Sequence, residues 1–146
     1  MSKAGFRYLA FLVSLAWFPG HALLALPDIE ALYATALTAY EAKQYDAALG
    51  KLEQALALQP DSSSVHHLMG KCYGRLAQQA NPLKAYSLTQ KTRLAFEKAV
   101  ELDDQNTSAL RDLMEYYRQA PGFLGGSKKK ADEIEKLLRD IDAAGS

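Results

Sequence analysis

The sequence predicts an all-α fold, and three observations carry that prediction. Alanine, leucine, lysine, glutamate and glutamine dominate the 146 residues, and all five are good helix formers. Val13, Ile29, Val65, Val100, Ile134 and Ile141 are the only valines and isoleucines, a scarcity that disfavours a sheet. Beyond residue 28, apolar residues recur at helical spacing between readable start and stop signals.

The first residues read as a signal peptide. Lys3 and Arg7 form a basic start, and Tyr8 to Phe18 is apolar apart from Ser14. That run is too short for a bilayer, which takes ~20 residues. Small residues at Gly20 and Ala22 predict cleavage after Ala22, with Ala25 as the second choice. Residues 1–22 are thus the leader and 23–142 the helical domain. The alternative is an uncleaved anchor reaching Leu26, which Pro19, Gly20 and His21 interrupt. No cysteine follows the apolar run, so a lipoprotein anchor is not expected.

Six helices follow. Asp28 caps the first, to about Ala42. The second runs from Tyr45 to Leu58 and ends at Gln59-Pro60. Ser62 to Ser64 cap the third, to about Gln78, and Asn81-Pro82 breaks the chain. Ser87, with Gln90 three residues on, reads as a capping box for a fourth helix reaching Leu102. Asp104 or Asn106 opens the fifth, to about Gln119. Ala120 to Gly126 is a loop, and Ser127 caps a last helix through Ile141.

These helices repeat as pairs. His66-x-x-Met69-Gly70-x-x-Tyr73 lies 34 residues after Leu32-x-x-Thr35-Ala36-x-x-Ala39, and Leu110-x-x-Leu113-Met114-x-x-Tyr117 lies 44 further on. Ala48-x-x-x-Leu52-x-x-Ala55 aligns likewise with Thr92-x-x-x-Phe96-x-x-Ala99. Small residues at Ala36, Ala48, Ala55, Gly70 and Ala99 allow close helix approach. Leu52, Tyr73, Phe96 and Tyr117 fill the space between. This pattern resembles the tetratricopeptide repeat, with repeats at about 29–62, 63–104 and 107–141. The second repeat departs from it by about ten extra residues within Leu76 to Gln90. The third has no clear aromatic after Ala131. The resemblance implies a right-handed stack of about three antiparallel helix pairs. The segment from Ala120 to Ser127 looks like a turn of exported bacterial members, which with the leader implies the periplasm of a Gram-negative bacterium.

The resemblance also implies that the first helix of each pair lines a concave groove. The groove places fall on Tyr33, Leu37 and Tyr40, then on His67, Lys71 and Arg75, then on Arg111 and Arg118, with Glu30, Glu41, Ser64, Gly74, Ser108, Glu115 and Gln119 beside them. This gives an aromatic end and a basic end, and implies a partner protein or peptide with an acidic segment. The family's clamp for a C-terminal carboxylate uses Lys and Asn where Tyr33 and Leu37 stand, so that specificity is not implied.

Other chemistry is thinly supplied. His66 and His67 have Met69, Gly70 and Lys71 at their helical neighbours, so no metal site is read there. His66 stands where the repeat wants a bulky packing residue. Cys72 is the only cysteine, which rules out an intrachain disulfide and reads as a small core residue. The loop from Gly122 to Lys130 lacks Walker spacing, but its glycines and three lysines leave an anion site open against a solvated turn. Without Lys3 and Arg7, the chain has fifteen basic and seventeen acidic side chains, a net charge of −2. That gives no general attraction for nucleic acid.

The expected function is therefore a non-catalytic protein-interaction module, without cofactor or metal and without stable membrane insertion once the leader is cut. One alternative is a structural or regulatory subunit that self-associates through Ile134, Leu137, Leu138 and Ile141. Another is an enzyme, for which no acid–base pair is visible in the sequence.

Overall fold

The computed structural model describes residues 28–145, and these are all helix and turn. The expected leader, residues 1–22, lies outside the described residues. Six helices follow one another: α1 (Ile29–Glu41), α2 (Tyr45–Leu58), α3 (Ser63–Gln79), α4 (Pro82–Leu102), α5 (Thr107–Gln119) and α6 (Lys128–Ala144), with a 3₁₀ turn at Gly122–Leu124. Each helix packs on the next, and α1 also touches α3. Short turns make α1–α2, α3–α4 and α5–α6 into hairpins stacked in a row.

Side-chain caps set most of the starts. The Ala31 amide donates to Asp28 Oδ1 at 2.7 Å, that of Val65 to Ser62 Oγ at 3.4 Å, and that of Ala109 to Asn106 Oδ1 at 3.0 Å. Asn106, rather than Asp104, thus opens α5. Ser127 Oγ accepts from the Lys130 amide at 3.3 Å, and α6 runs past Ile141 to Ala144 because no breaker intervenes before Gly145. At the end of α1, the Gln44 amide donates to Ala39 O and the Lys43 amide to Tyr40 O. Lys43 takes a left-handed backbone there, φ 61°, closing the helix in a Schellman motif.

The fourth helix corrects the sequence reading. It begins at Pro82, not beyond Ser87, because Asn81 Oδ1 accepts from the Lys84 amide at 3.0 Å. Proline is tolerated at a first helical position, where its missing N–H would have no partner anyway. The supposed capping box therefore sits inside the helix. The extra residues of the second repeat are not an irregular insert. They lengthen the hairpin, with 17 residues in α3 and 21 in α4, against 13 in α1 and 14 in α2.

The core runs along the stack. Leu32, Ala36, Ala48, Leu52, Val65, Leu68 and Cys72 are buried between the first three helices. Phe96, Leu113, Tyr117 and Ala131 form a second cluster over the last three. Ala36, Ala48, Ala55 and Ala99 are fully buried, as the small-residue pattern requires. Gly70 faces the ring of Phe96 so closely that a methyl group there would overlap it. Tyr73, expected as a filler, is only partly buried.

Candidate functional site: a cleft across three helices

A cleft of about 510 Å³ opens where α1, α3 and α5 stand side by side. Tyr33 and Leu37 come from α1, His67 and Lys71 from α3, and Arg111 from α5. These five were expected from their register alone, and the structure brings them to one surface. Leu68 closes the floor and is 2% exposed. Tyr33 is half-buried, and burial pushes its phenol above the ordinary value. The cleft is an apolar shelf on α1 facing cations and polar groups on α3 and α5.

A shallower groove continues along the same side, and Lys71 lines both. Tyr40 and Arg75 lie in this second part. The Lys71 ammonium stands 5.1 Å from the centre of the Tyr40 ring. Arg75 Nε donates to Tyr40 Oη at 3.5 Å. One tyrosine thus gathers two cations, by ring attraction and by a long hydrogen bond. Glu115 and Gln119, expected as groove residues, line this part too.

Arg118 is placed differently. Its guanidinium reaches Glu135 on α6 at 3.1 Å, so it ties the last two helices together. Arg111 lines the cleft while standing 3.8 Å from Asp142, with both side chains more than half exposed. The basic end of the groove is therefore Lys71, Arg75 and Arg111.

Asp112 is the residue that sequence reasoning missed. Its Oδ2 lies 2.7 Å from His67 Nε2, linking α5 to α3 across the cleft. His67 is largely buried and stacks near Phe96 at 5.7 Å. No helical spacing relates residues 45 apart. The only signal was the repeat register, which sets Arg111, the immediate neighbour of Asp112, level with His67. The pair also changes the electrostatics, because the cleft that Lys71 and Arg111 line holds a carboxylate as well. The pair occupies both groups with each other and braces the wall. Below it, Asn106 Nδ2 donates to Ser63 Oγ at 2.9 Å, and Ser63 Oγ donates to Ala99 O at 2.8 Å. Asn106 thus both caps α5 and fixes the cleft's lower edge.

His66 turns away, its ring Nε2 hydrogen-bonded to Pro60 O at 3.0 Å. Cys72 is fully buried, and burial pushes its thiol up to about 11 against the opposing pull of Lys71. The loop before α6 consumes the amides an anion would need. Gly125 donates to Gly122 O, Gly126 to Pro121 O, and Ser127 to Tyr117 O. Ala131 and Ile134 of α6 pack with Leu113 and Tyr117, and Leu138 is buried. Ile134 and Leu138 of the face considered for self-association are thereby turned inward, whereas Leu137 and Ile141 are only partly buried. Among the described residues, no three His, Cys, Asp or Glu gather as metal ligands, and no helix is long and apolar enough to cross a membrane.

The cleft and the stack are thus defined by geometry alone. No family model matches the chain, and no curated protein matches it.

Proposed function

We propose that this protein is an exported tetratricopeptide-type stack that holds an acidic segment of another envelope protein in the α1–α3–α5 cleft. The observation that carries the reading is the assembly of Tyr33, Leu37, His67, Lys71 and Arg111 on one concave surface. Three successive hairpins each contribute their first helix to it. A helical stack with such a surface binds by contact, since stacked repeats offer long concave faces and few mobile parts.

The chemistry of the cleft sorts the partner. Lys71 and Arg111 favour carboxylates, while Asp112, held by His67, disfavours them beside it. Tyr33 and Leu37 favour an aliphatic or aromatic residue at the α1 side. Aromatic and Arg residues are often the ones that dominate binding energy. Arg118, engaged with Glu135, is assigned to the fold rather than to recognition.

The test is paired charge reversal, Lys71→Glu with Arg111→Glu. Capture of the partner from envelope extract, identified by mass spectrometry, is expected to be lost while helical circular dichroism is unchanged. Added salt is expected to weaken wild-type capture, because exposed charges are screened over ~8–10 Å near physiological ionic strength. Unchanged affinity in the reversed protein would reject the cleft as the binding surface.

A further inference from the structure

The hairpin order sorts charge along the molecule. The turns inside the three hairpins all fall at one end of the stack, and the links between hairpins fall at the other. Neighbouring side chains relate these turns, with the α5–α6 turn meeting α4 at Thr89 and Arg93, about two to three helical turns past its start. Arg75 at the end of α3 reaches Tyr40 at the end of α1. The Tyr116 hydroxyl, near the end of α5, donates to Leu124 O at 2.7 Å and lies 3.4 Å from Thr89 O on α4. A side-chain carbon on Gly125 would stand 2.7 Å from Arg93 of α4.

This end is basic and apolar at once. It carries Lys43, Arg75, Lys84, Arg118 and the run Lys128 to Lys130, against Glu41, Asp46, Glu115, Asp132 and Glu133; Lys129 pairs with Glu133 and Lys130 stands over the Tyr117 ring. Lys43, Lys84 and Lys128 have no ion-pair partner among the described residues. The opposite end carries Asp28, Glu30, Asp61, Glu101, Asp103 and Asp104. Of the five large hydrophobic residues that stand exposed among the described residues, three lie at the basic end: Leu83 at 84%, Phe123 at 75% and Tyr86 at 49%. They sit on two separate turns. The longer hairpin carries Leu83 and Tyr86 outward, since the seven residues by which α4 exceeds α2 add about 10 Å at 1.5 Å per residue.

We infer that this end docks on the surface of an anionic lipid bilayer. Leu83 and Phe123 are its apolar points, and the lysines around them meet the lipid phosphates. The shape selects a bilayer over a protein partner. Leu83, Tyr86 and Phe123 stand outside the hollow of about 340 Å³ at this end, which Ala77, Thr89, Tyr116 and Leu124 line, so they are not the walls of a groove for a partner's side chains. Isolated apolar points among lysines suit an interface that is soft, apolar a few ångströms down and negatively charged above. Tyr86 suits the headgroup level, where one end of the ring is apolar and the other wet. Such docking is peripheral, and it leaves the α1–α3–α5 cleft, on the side of the stack, open to a partner. The proposal is independent of what that cleft binds.

Nitroxide labels on Leu83→Cys and on Phe123→Cys test it, with Asp104→Cys as the control at the far end; Cys72, fully buried, stays unlabelled in the folded protein. The full chain is mixed with vesicles of phosphatidylglycerol or of phosphatidylcholine. With phosphatidylglycerol, labels at 83 and 123 are expected to become shielded from a water-soluble nickel chelate and open to oxygen, while 104 stays water-exposed. Reversing Lys84 and Lys128 to Glu is expected to lower that shielded fraction at least tenfold, given the attraction of each lysine to an anionic surface. Labels that stay water-exposed on phosphatidylglycerol, whether or not the chain sediments with the vesicles, would overturn the proposal. So would equal shielding on phosphatidylcholine. Shielding by soluble poly-glutamate without shielding by vesicles would assign the end to an acidic polypeptide and overturn the membrane instead.

Discussion

Gly70 permits a close approach of α3 and α4. It lets the ring of Phe96 lie on the backbone of α3, where a methyl group would already overlap. Gly70→Leu is expected to lower stability by about 1–3 kcal/mol through overpacking, read from urea denaturation. An unchanged midpoint would mean that α3 and α4 can separate at no cost, and would undo the packing described. Buried acids give a second expectation at this scale. The Cys72 thiol rises from 9.0 to about 11 through burial. The Tyr117 phenol is held well above its ordinary 10.0, first by burial and then by its hydrogen bond to Glu97. Both protons are bound more tightly in the folded chain. Their contribution is complete below pH 9 and is lost as pH rises, because the unfolded chain ionises first. The melting temperature is expected to fall between pH 9 and 11, and less steeply in Tyr117→Phe. A flat profile would contradict the burial of these groups.

At the scale of the element, the caps decide what was legible. Asp28 and Ser62 announced their helices correctly because each is followed at once by helical periodicity. Ser87-x-x-Gln90 has the same letters but lies one turn and a half inside α4, where Asn81-Pro82 had already begun the helix. Local cap chemistry is degenerate, and the Asn81 side chain, accepting from the Lys84 amide, is the cap the helix uses. Asn81→Ala is expected to cost about 1 kcal/mol, whereas Ser87→Ala should stay within about 0.5 kcal/mol, as for an exposed site without a structural role. Thermal melts of the two variants separate the readings, and an equal loss in both would restore the later start. The cleft shows the same division. Tyr33, Leu37, His67, Lys71 and Arg111 were legible because repeat register assigns faces to residues. Asp112 was not, because its pairing with His67 exists only once α5 stands beside α3. Arg118 had the right register but a nearer carboxylate, Glu135 on α6.

For the whole molecule, contact passes from each helix to the next. Stability in such a stack is a sum of local units and their interfaces. Among the described residues, the central hairpin α3–α4 is covered on both sides, by α2 and by α5, and each outer hairpin on only one. Native-state hydrogen exchange is therefore expected to be slowest in Leu68 to Cys72 and Ala95 to Ala99. It should be faster by at least tenfold in α6, since local opening there exposes one interface only. Uniform protection along the chain would show a single cooperative unit and refute the additive picture. The row of helices was legible from the spaced small residues, but its charge sorting was not, because that depends on which turns share an end.

Lys43 holds a backbone that costs an L-residue about 1–2 kcal/mol relative to the right-handed helix, in a turn whose hydrogen bonds ask for glycine. A domain of this kind is stable by only about 5–15 kcal/mol. A noticeable share of that margin is thus held in one exposed turn, beside the packed rings of Tyr40 and Tyr45. The fold has thermodynamic headroom at a single surface position, and an ammonium group at the basic end occupies it.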